Sequence, residues 1–196
     1  MSKAYDHVKP EQFDEDLLLV DRVLSSDPHA FQALYEKYYD RVYGISYGVL
    51  RDADEAADAI QEIFTLVYKN LGRFDRRSKF STWLFRIAVN RSIQQARKLK
   101  YKKREAEFDD RIESIPERVP PTEDNDPRIN EAMGQLHPND RAILTLFYGD
   151  ELSLQEIADS MGCSANAAKT RLFRARERLR EAYEKISGET IDGVGL

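Results

Sequence analysis

Ser153-Leu154-Gln155-Glu156-Ile157-Ala158-Asp159-Ser160-Met161-Gly162-Cys163-Ser164 is the stretch on which the fold turns. Ser153 and Glu156 have the spacing of a capping box. The hydroxyl accepts from the third helical amide, and the carboxylate reaches back to the amide of the cap. Leu152 and Ile157 flank the box at staple positions. The helix that starts here is short, because Gly162 permits a tight turn at its end. Ser164 is placed to cap a second helix. Along that helix Ala168, Leu172, Ala175, Leu179 and Ala182 recur at steps of four and three, which makes one narrow apolar stripe. A short helix, a glycine-bearing turn and a longer helix spell a helix-turn-helix.

The opposite face of the second helix presents Asn166, Thr170, Phe173, Arg174 and Glu177, with Lys169, Arg171, Arg176, Arg178 and Arg180 toward its flanks. Polar and bidentate donors in the centre suit base edges in a major groove. Cations on the flanks suit phosphates. A solvated helix rich in arginine is the plainer reading of the same residues. The turn and the capping box beside it favour DNA.

Upstream the pattern is again helical. Asp27-Pro28 reads as an N-cap followed by proline at the first helical position, and Phe31, Leu34, Tyr35, Tyr38, Val42, Ile45 and Val49 follow in three-and-four spacing. A helix from near Asp52 carries the stripe Ala56, Ile60, Ile63, Phe64, Val67 and Leu71, with Gly72 as its stop. Residues 73–79 read as a polar, basic loop. A third helix is predicted over about Phe80 to Lys100, with Phe80, Trp83, Leu84 and Ile87 inward. Residues 105–127 hold Pro116, Pro120, Pro121 and Pro127 among nine acids, the composition of a self-repelling linker. His137-Pro138 opens a helix with Ile143, Leu144 and Phe147 that ends near Gly149. Residues 1–26 hold a short acidic helix through Leu17, Val20 and Leu24, and the last nine residues read as a frayed tail. The expected fold is all-α: two small helical domains, 27–104 and 128–186, between an N-terminal extension 1–26 and a tail 187–196, joined by the acidic linker 105–127.

Charge supports that division. The net charge of -5 hides 12 bases against one acid in residues 73–104, and 6 bases against one acid in 163–180. Eighteen of the 30 lysines and arginines lie in those two windows, so two polyanion-contacting surfaces are expected on one chain. Other classes recede. No apolar run approaches the roughly 18 residues of a membrane span, and the first 30 residues lack a basic-then-apolar export pattern. One cysteine and three histidines offer no disulfide and no metal cluster. Nucleophile-base pairs and phosphate loops are also lacking. A cytoplasmic, non-enzymatic protein without cofactor is expected, and Cys163 in the turn reads as a buried, inert thiol ahead of the alternative, a redox switch.

Several blocks resemble the bacterial sigma-70 family, with the first half similar to region 2 and the second to region 4. A chain of these two regions alone resembles the extracytoplasmic-function branch. Asp52-Ala53-Asp54-Glu55-Ala56-Ala57-Asp58-Ala59-Ile60-Gln61-Glu62-Ile63-Phe64 is its most specific stretch. The resemblance implies that Asp52, Asp54, Glu55, Asp58, Gln61, Glu62 and Phe64 dock on the beta-prime clamp helices of core RNA polymerase. The helix dipole accounts for acids in the first turn. Asp58 and Glu62 lie beyond it, where like charges cost unless a cationic partner answers them.

Phe80-Ser81-Thr82-Trp83-Leu84-Phe85-Arg86-Ile87-Ala88-Val89-Asn90 resembles the element that melts and reads the -10 promoter region. It assigns single-stranded -10 DNA to Phe74, Arg76, Arg77, Lys79, Phe80, Trp83, Arg86, Asn90, Arg91 and Arg97. Aromatics beside cations suit unstacked bases, although the spacing of Trp83 also fits a core residue. Leu136-His137-Pro138 with Arg141 resembles the opening of region 4, and residues 168–176 resemble the -35 recognition helix. That assigns duplex -35 DNA to Ser164, Asn166, Lys169, Thr170, Arg171, Phe173, Arg174 and Arg176, and a second polymerase contact to the beta flap. The family also implies an anti-sigma factor and a linker threading toward the active-site channel. Gln94 stands where the family often has aspartate, and Ser164 and Asn166-Ala167-Ala168 replace its usual proline and Gly-Thr-Val run. These departures bear on the promoter sequence read, not on the class. A stand-alone helix-turn-helix regulator and an anti-sigma-like scaffold are the rival readings.

Overall fold

The computed structural model describes residues 10–108 and 126–188, with side chains over 15–102 and 126–188. Every regular element among the described residues is helical. Asp52 shows how locally these helices are set. Its Oδ1 accepts from the Glu55 amide at 2.8 Å, starting α3 (Ala53–Asn70), whose stripe from Ala56 to Val67 is buried. Asp27 does the same for α2 (Pro28–Leu50), with Pro28 in its first turn. One turn, Leu71–Arg73, ends the α3 segment, and α4 runs from Phe80 to Phe108. It thus passes the boundary expected after Arg104 by four residues. The rest of the expected linker, 109–125, lies outside the described residues.

The N-terminal segment is part of the first bundle rather than an appendage. In α1 (Pro10–Leu24) Val20 and Leu19 are buried, while Leu24 is 49% exposed, so the inward face is shifted from the one expected. Asp16 seals the contact: its Oδ2 accepts from the buried Tyr38 hydroxyl at 2.5 Å, and its Oδ1 lies 2.8 Å from Lys37 Nζ. Burial, then the Asp16 hydrogen bond and charge, push the Tyr38 hydroxyl well above its usual range.

The second half begins at α5 (Pro127–Gln135), capped by Asp126 with Pro127 in its first turn. Pro127 therefore opens a helix instead of closing the linker. The helix α6 (Pro138–Leu144) continues into a π-type turn, Thr145–Gly149, where the Asp150 amide reaches back to Thr145 O at 3.2 Å. Helices α7 (Leu154–Met161) and α8 (Ala165–Ser187) complete the helix-turn-helix. Both sides of the capping box form, Gly162 is left-handed at φ 64°, and Ser164 caps α8.

The two halves do not stand apart. Helix α7 packs along α4, and α6 with its π turn packs along α2, so buried residues of both halves join one apolar core.

Candidate nucleic-acid and polymerase surfaces

The apolar stripe of α8 is buried at Ala168, Leu172, Ala175 and Ala182, which turns the opposite face outward. Asn166, Lys169, Thr170, Arg171, Phe173 and Arg174 are exposed on it, Phe173 at 64%. Six of the side chains expected at the -35 element thus share one solvent-facing surface. Arg176 departs from the expectation. Its guanidinium lies over the rings of Phe147 and Tyr148, 4.7 and 5.3 Å from their centroids, with Nε buried. The π turn places those rings, and Arg176 is therefore a packing residue. Arg178 and Arg180 are also engaged, with Asp140 and Glu177. Ser164 spends its hydroxyl on the Ala167 amide.

Exposure also sorts the acids of α3. Among the described residues the side chains of Asp54, Asp58 and Gln61 face solvent without a partner, whereas Asp52 is the N-cap and Glu55 accepts from Gln95. Glu62 is paired with Arg91, whose side chain is only 14% exposed. Phe64 is 4% exposed and packs edge-on against Phe31 and near Tyr35, so it supports the helix from inside. A groove of about 520 Å³ runs between α3 and α4, lined by Gln61, Glu62, Thr65, Leu66, Arg91 and Gln94. Leu66 lies off the buried stripe and is 38% exposed. Sequence reasoning passed over it, although its departure from the stripe was the available signal.

The basic loop and the start of α4 form the third surface. Phe74 and Phe80 are 7% and 1% exposed and pack against each other and against Trp83. Both rings are covered by the core, and Trp83 is half-buried at the edge. Arg77, Arg86, Asn90 and Arg97 are exposed. Arg76 pairs with Asp21 of α1, and Lys79 Nζ lies 2.7 Å from Glu156 Oε1 of α7. A cleft of about 780 Å³ lies between this surface and the helix-turn-helix, with Arg73, Arg77, Trp83 and Arg86 on one wall and Asp159 and Cys163 on the other. Cys163 is half-buried there. Among the described residues there is no cluster of metal ligands and no helix long and apolar enough to cross a membrane.

The protein-family model for Sigma-70 region 2 matches residues 34–104, and that for Sigma-70, region 4 matches residues 127–179. The RNA polymerase sigma-H factor of Pseudomonas aeruginosa is 33% identical over 188 residues, covering 90% of this chain and 97% of that one. The ECF RNA polymerase sigma factor SigW of Bacillus subtilis is 33% identical over 182 residues, covering 85% and 96%. The chain belongs to the ECF branch of the sigma-70 family. It is an alternative sigma factor that directs transcription initiation through domains that bind RNA polymerase and promoter DNA. Sigma factors are non-catalytic initiation factors.

The fold of this sigma factor is also that of solved structures. CnrH in complex with the cytosolic domain of CnrY matches at TM-score 0.66 and 22% identity, over 90% of this chain and 100% of that one. The sigma factor RpoE in complex with the anti-sigma factor NepR from Bartonella quintana matches at TM-score 0.62 and 24% identity, over 79% and 96%.

Glu156 makes a pH prediction for the sigma factor. Burial raises its carboxyl, but hydrogen bonds from Lys79 and from the Ser153 hydroxyl and amide, with the Lys79 charge, more than reverse this and hold it below 4.5. A depressed folded value means that the stabilisation is present at neutral pH and is lost as pH falls through that value. Glu156→Gln is therefore expected to melt below the wild type at pH 7, with the gap narrowing as pH falls below 4.5 and through the depressed folded value. Thermal denaturation across that range checks it, and a gap that persists in acid would contradict it.

Proposed function

We propose that this sigma factor grips core polymerase through the free acids of α3, opens the -10 element at the loop and α4, and holds duplex -35 DNA with α8. Residues 27–108, with α1 packed on them, serve as region 2 and residues 126–187 as region 4. The observation that carries this reading is the sorting of exposed charge. Among the described residues Asp54 and Asp58 stand unpaired on one helix, while Arg77, Arg86, Arg97, Arg171 and Arg174 are exposed on the basic loop, α4 and α8. Partner contact on α3 is assigned to Asp54, Asp58 and Gln61 and to the α3–α4 groove with Leu66. The base-reading group on α8 is Asn166, Thr170, Phe173 and Arg174, with phosphates on Lys169 and Arg171. At the -10 element the contacts are Arg77, Arg86, Asn90, Arg97 and the edge of Trp83. The beta-prime clamp helices and the beta flap are the polymerase elements expected, and a cognate anti-sigma factor is the expected regulator, in the cytoplasm.

Permanganate reactivity of unpaired thymines tests it. With core polymerase the chain is expected to expose thymines near -10 on a cognate promoter, and neither component does so alone. Specific duplex binding as a dimer without core, and no opening with it, would favour the stand-alone regulator instead.

Arg174→Ala is expected to cost about 1–3 kcal/mol on the cognate -35 sequence and to relax preference at one base pair. Competition binding of the holoenzyme to -35 point variants checks it. An equal loss on every sequence would make Arg174 a phosphate contact.

A further inference from the structure

We infer that Arg51 and Arg141 form a binding site for a phosphate-type oxyanion where the end of α2 meets α5 and α6. Both guanidinium groups are tethered to α5. Arg51 Nη2 donates to Asn130 Oδ1 at 2.7 Å, and Arg141 Nη1 donates to Gly134 O at 3.4 Å. Asn130 and Gly134 are one helical turn apart, roughly 6 Å along α5. The two cations are therefore held side by side. Both side chains are half-buried, and among the described residues the buried Nε of each has no hydrogen-bond partner.

Among the described residues neither guanidinium has a carboxylate partner. The acids beside them in sequence are spent elsewhere. Asp52 accepts from the Glu55 amide, and Asp140 holds Arg178 through both oxygens at 2.9 and 2.7 Å. The groups bonded to the pair are neutral, and the ring of Tyr47 lies under Arg51, its centroid 5.4 Å from Cζ. Burial lowers Arg51 below its usual range, and burial together with the Arg51 charge lowers Arg141 to about 10. Like charges gathered out of water without a counter-ion destabilise a fold. An anion between them removes that cost.

Backbone strain falls at the same place. Arg51 ends α2 at φ 62°, a left-handed conformation that glycine adopts freely and a long side chain does not. Its amide closes the helix on Tyr47 O at 2.8 Å, a bond that glycine would make equally well. The arginine therefore stands against its backbone preference, as residues at ligand sites do. Two planar forks a turn apart suit a tetrahedral oxyanion, whose oxygens accept from both at once, whereas a carboxylate fills only one. The ligand class is phosphate, as a free ion or within a phosphoester.

The test titrates the full chain with inorganic phosphate at constant ionic strength, by calorimetry, without polymerase or DNA. One saturable site is expected, half-filled at about 1 mM or below, with a melting temperature that rises as it fills. Arg51→Gly and Arg141→Met should each weaken binding by about tenfold or more. Phosphate also stabilises folds by exclusion from their surface, and that effect is common to all three chains. In phosphate-free buffer Arg51→Gly is expected to melt at or above the wild type, because an unanswered charge and a strained backbone leave together. Absence of saturable binding, or binding that both variants retain, overturns the site. An Arg51→Gly chain that melts well below the wild type without phosphate also overturns it, since Arg51 would then serve as a tie to Asn130. ATP and a -35 duplex, each added to the phosphate-loaded chain, identify the source. Displacement by ATP alone assigns the site to a nucleotide, displacement by the duplex to a DNA backbone, and displacement by neither to the free ion; each of these supports the oxyanion site.

Discussion

A chain carrying lysine at both Asp54 and Asp58 is expected to bind core RNA polymerase about a hundredfold more weakly than the wild type, a loss of about 3 kcal/mol. Close charge pairs in desolvated interfaces couple with about 1.5–7 kcal/mol. Two reversals therefore reach that loss even if each contact lies toward the interface rim. These two acids are chosen because they are spent on nothing else, whereas Glu62 answers Arg91 and Glu55 answers Gln95. The fold should survive. Asp54 sits in the first turn of α3, where lysine opposes the helix dipole by about 0.3–1 kcal/mol. That corresponds to a melting shift of roughly 2–4 °C at most in a chain of this size. Fluorescence anisotropy with purified core enzyme, read beside a melting curve, checks both halves. Unchanged affinity would remove α3 from the docking surface.

Phe80→Ala is expected to destabilise the protein by about 3–5 kcal/mol. The ring is 1% exposed and packs against Tyr38, Phe74 and Trp83, so its removal leaves a cavity under the basic loop. Loss of -10 opening should follow from loss of folding and track the unfolded fraction with temperature. Chemical denaturation and promoter opening measured on the same preparation distinguish the two roles. A normal unfolding midpoint with abolished opening would return Phe80 to the DNA surface.

Caps and stripes were legible in the sequence because their causes are local. Asp27, Asp52, Ser153 and Ser164 each start a helix through an amide two or three residues away, and all four do so in the structure. The helical class and the helix-turn-helix follow from those signals. Charge partners are not local, and the sequence does not show them. Arg176 belongs to the recognition run by position, yet a π turn almost thirty residues earlier supplies two rings that draw it inward. Glu62 and Arg91 were assigned to different partners and are each other's. Aromatic residues misled for a related reason. Phe64, Phe74 and Phe80 have the chemistry of base or partner contacts, but only tertiary packing shows that their faces are already covered. The union of the two halves was hidden too. Acid and proline in 105–127 suggest separation, while α6 and its π turn pack along α2, where Gly48 leaves room for Thr145 almost a hundred residues away.

The account stands most directly on run-off transcription with purified core enzyme over a library of promoters. Adding the chain is expected to yield transcripts from a subset of templates that share one pair of elements near -35 and -10, and Asp54→Lys/Asp58→Lys is expected to abolish them. Initiation by core enzyme that is the same with and without the chain on every template would contradict the account.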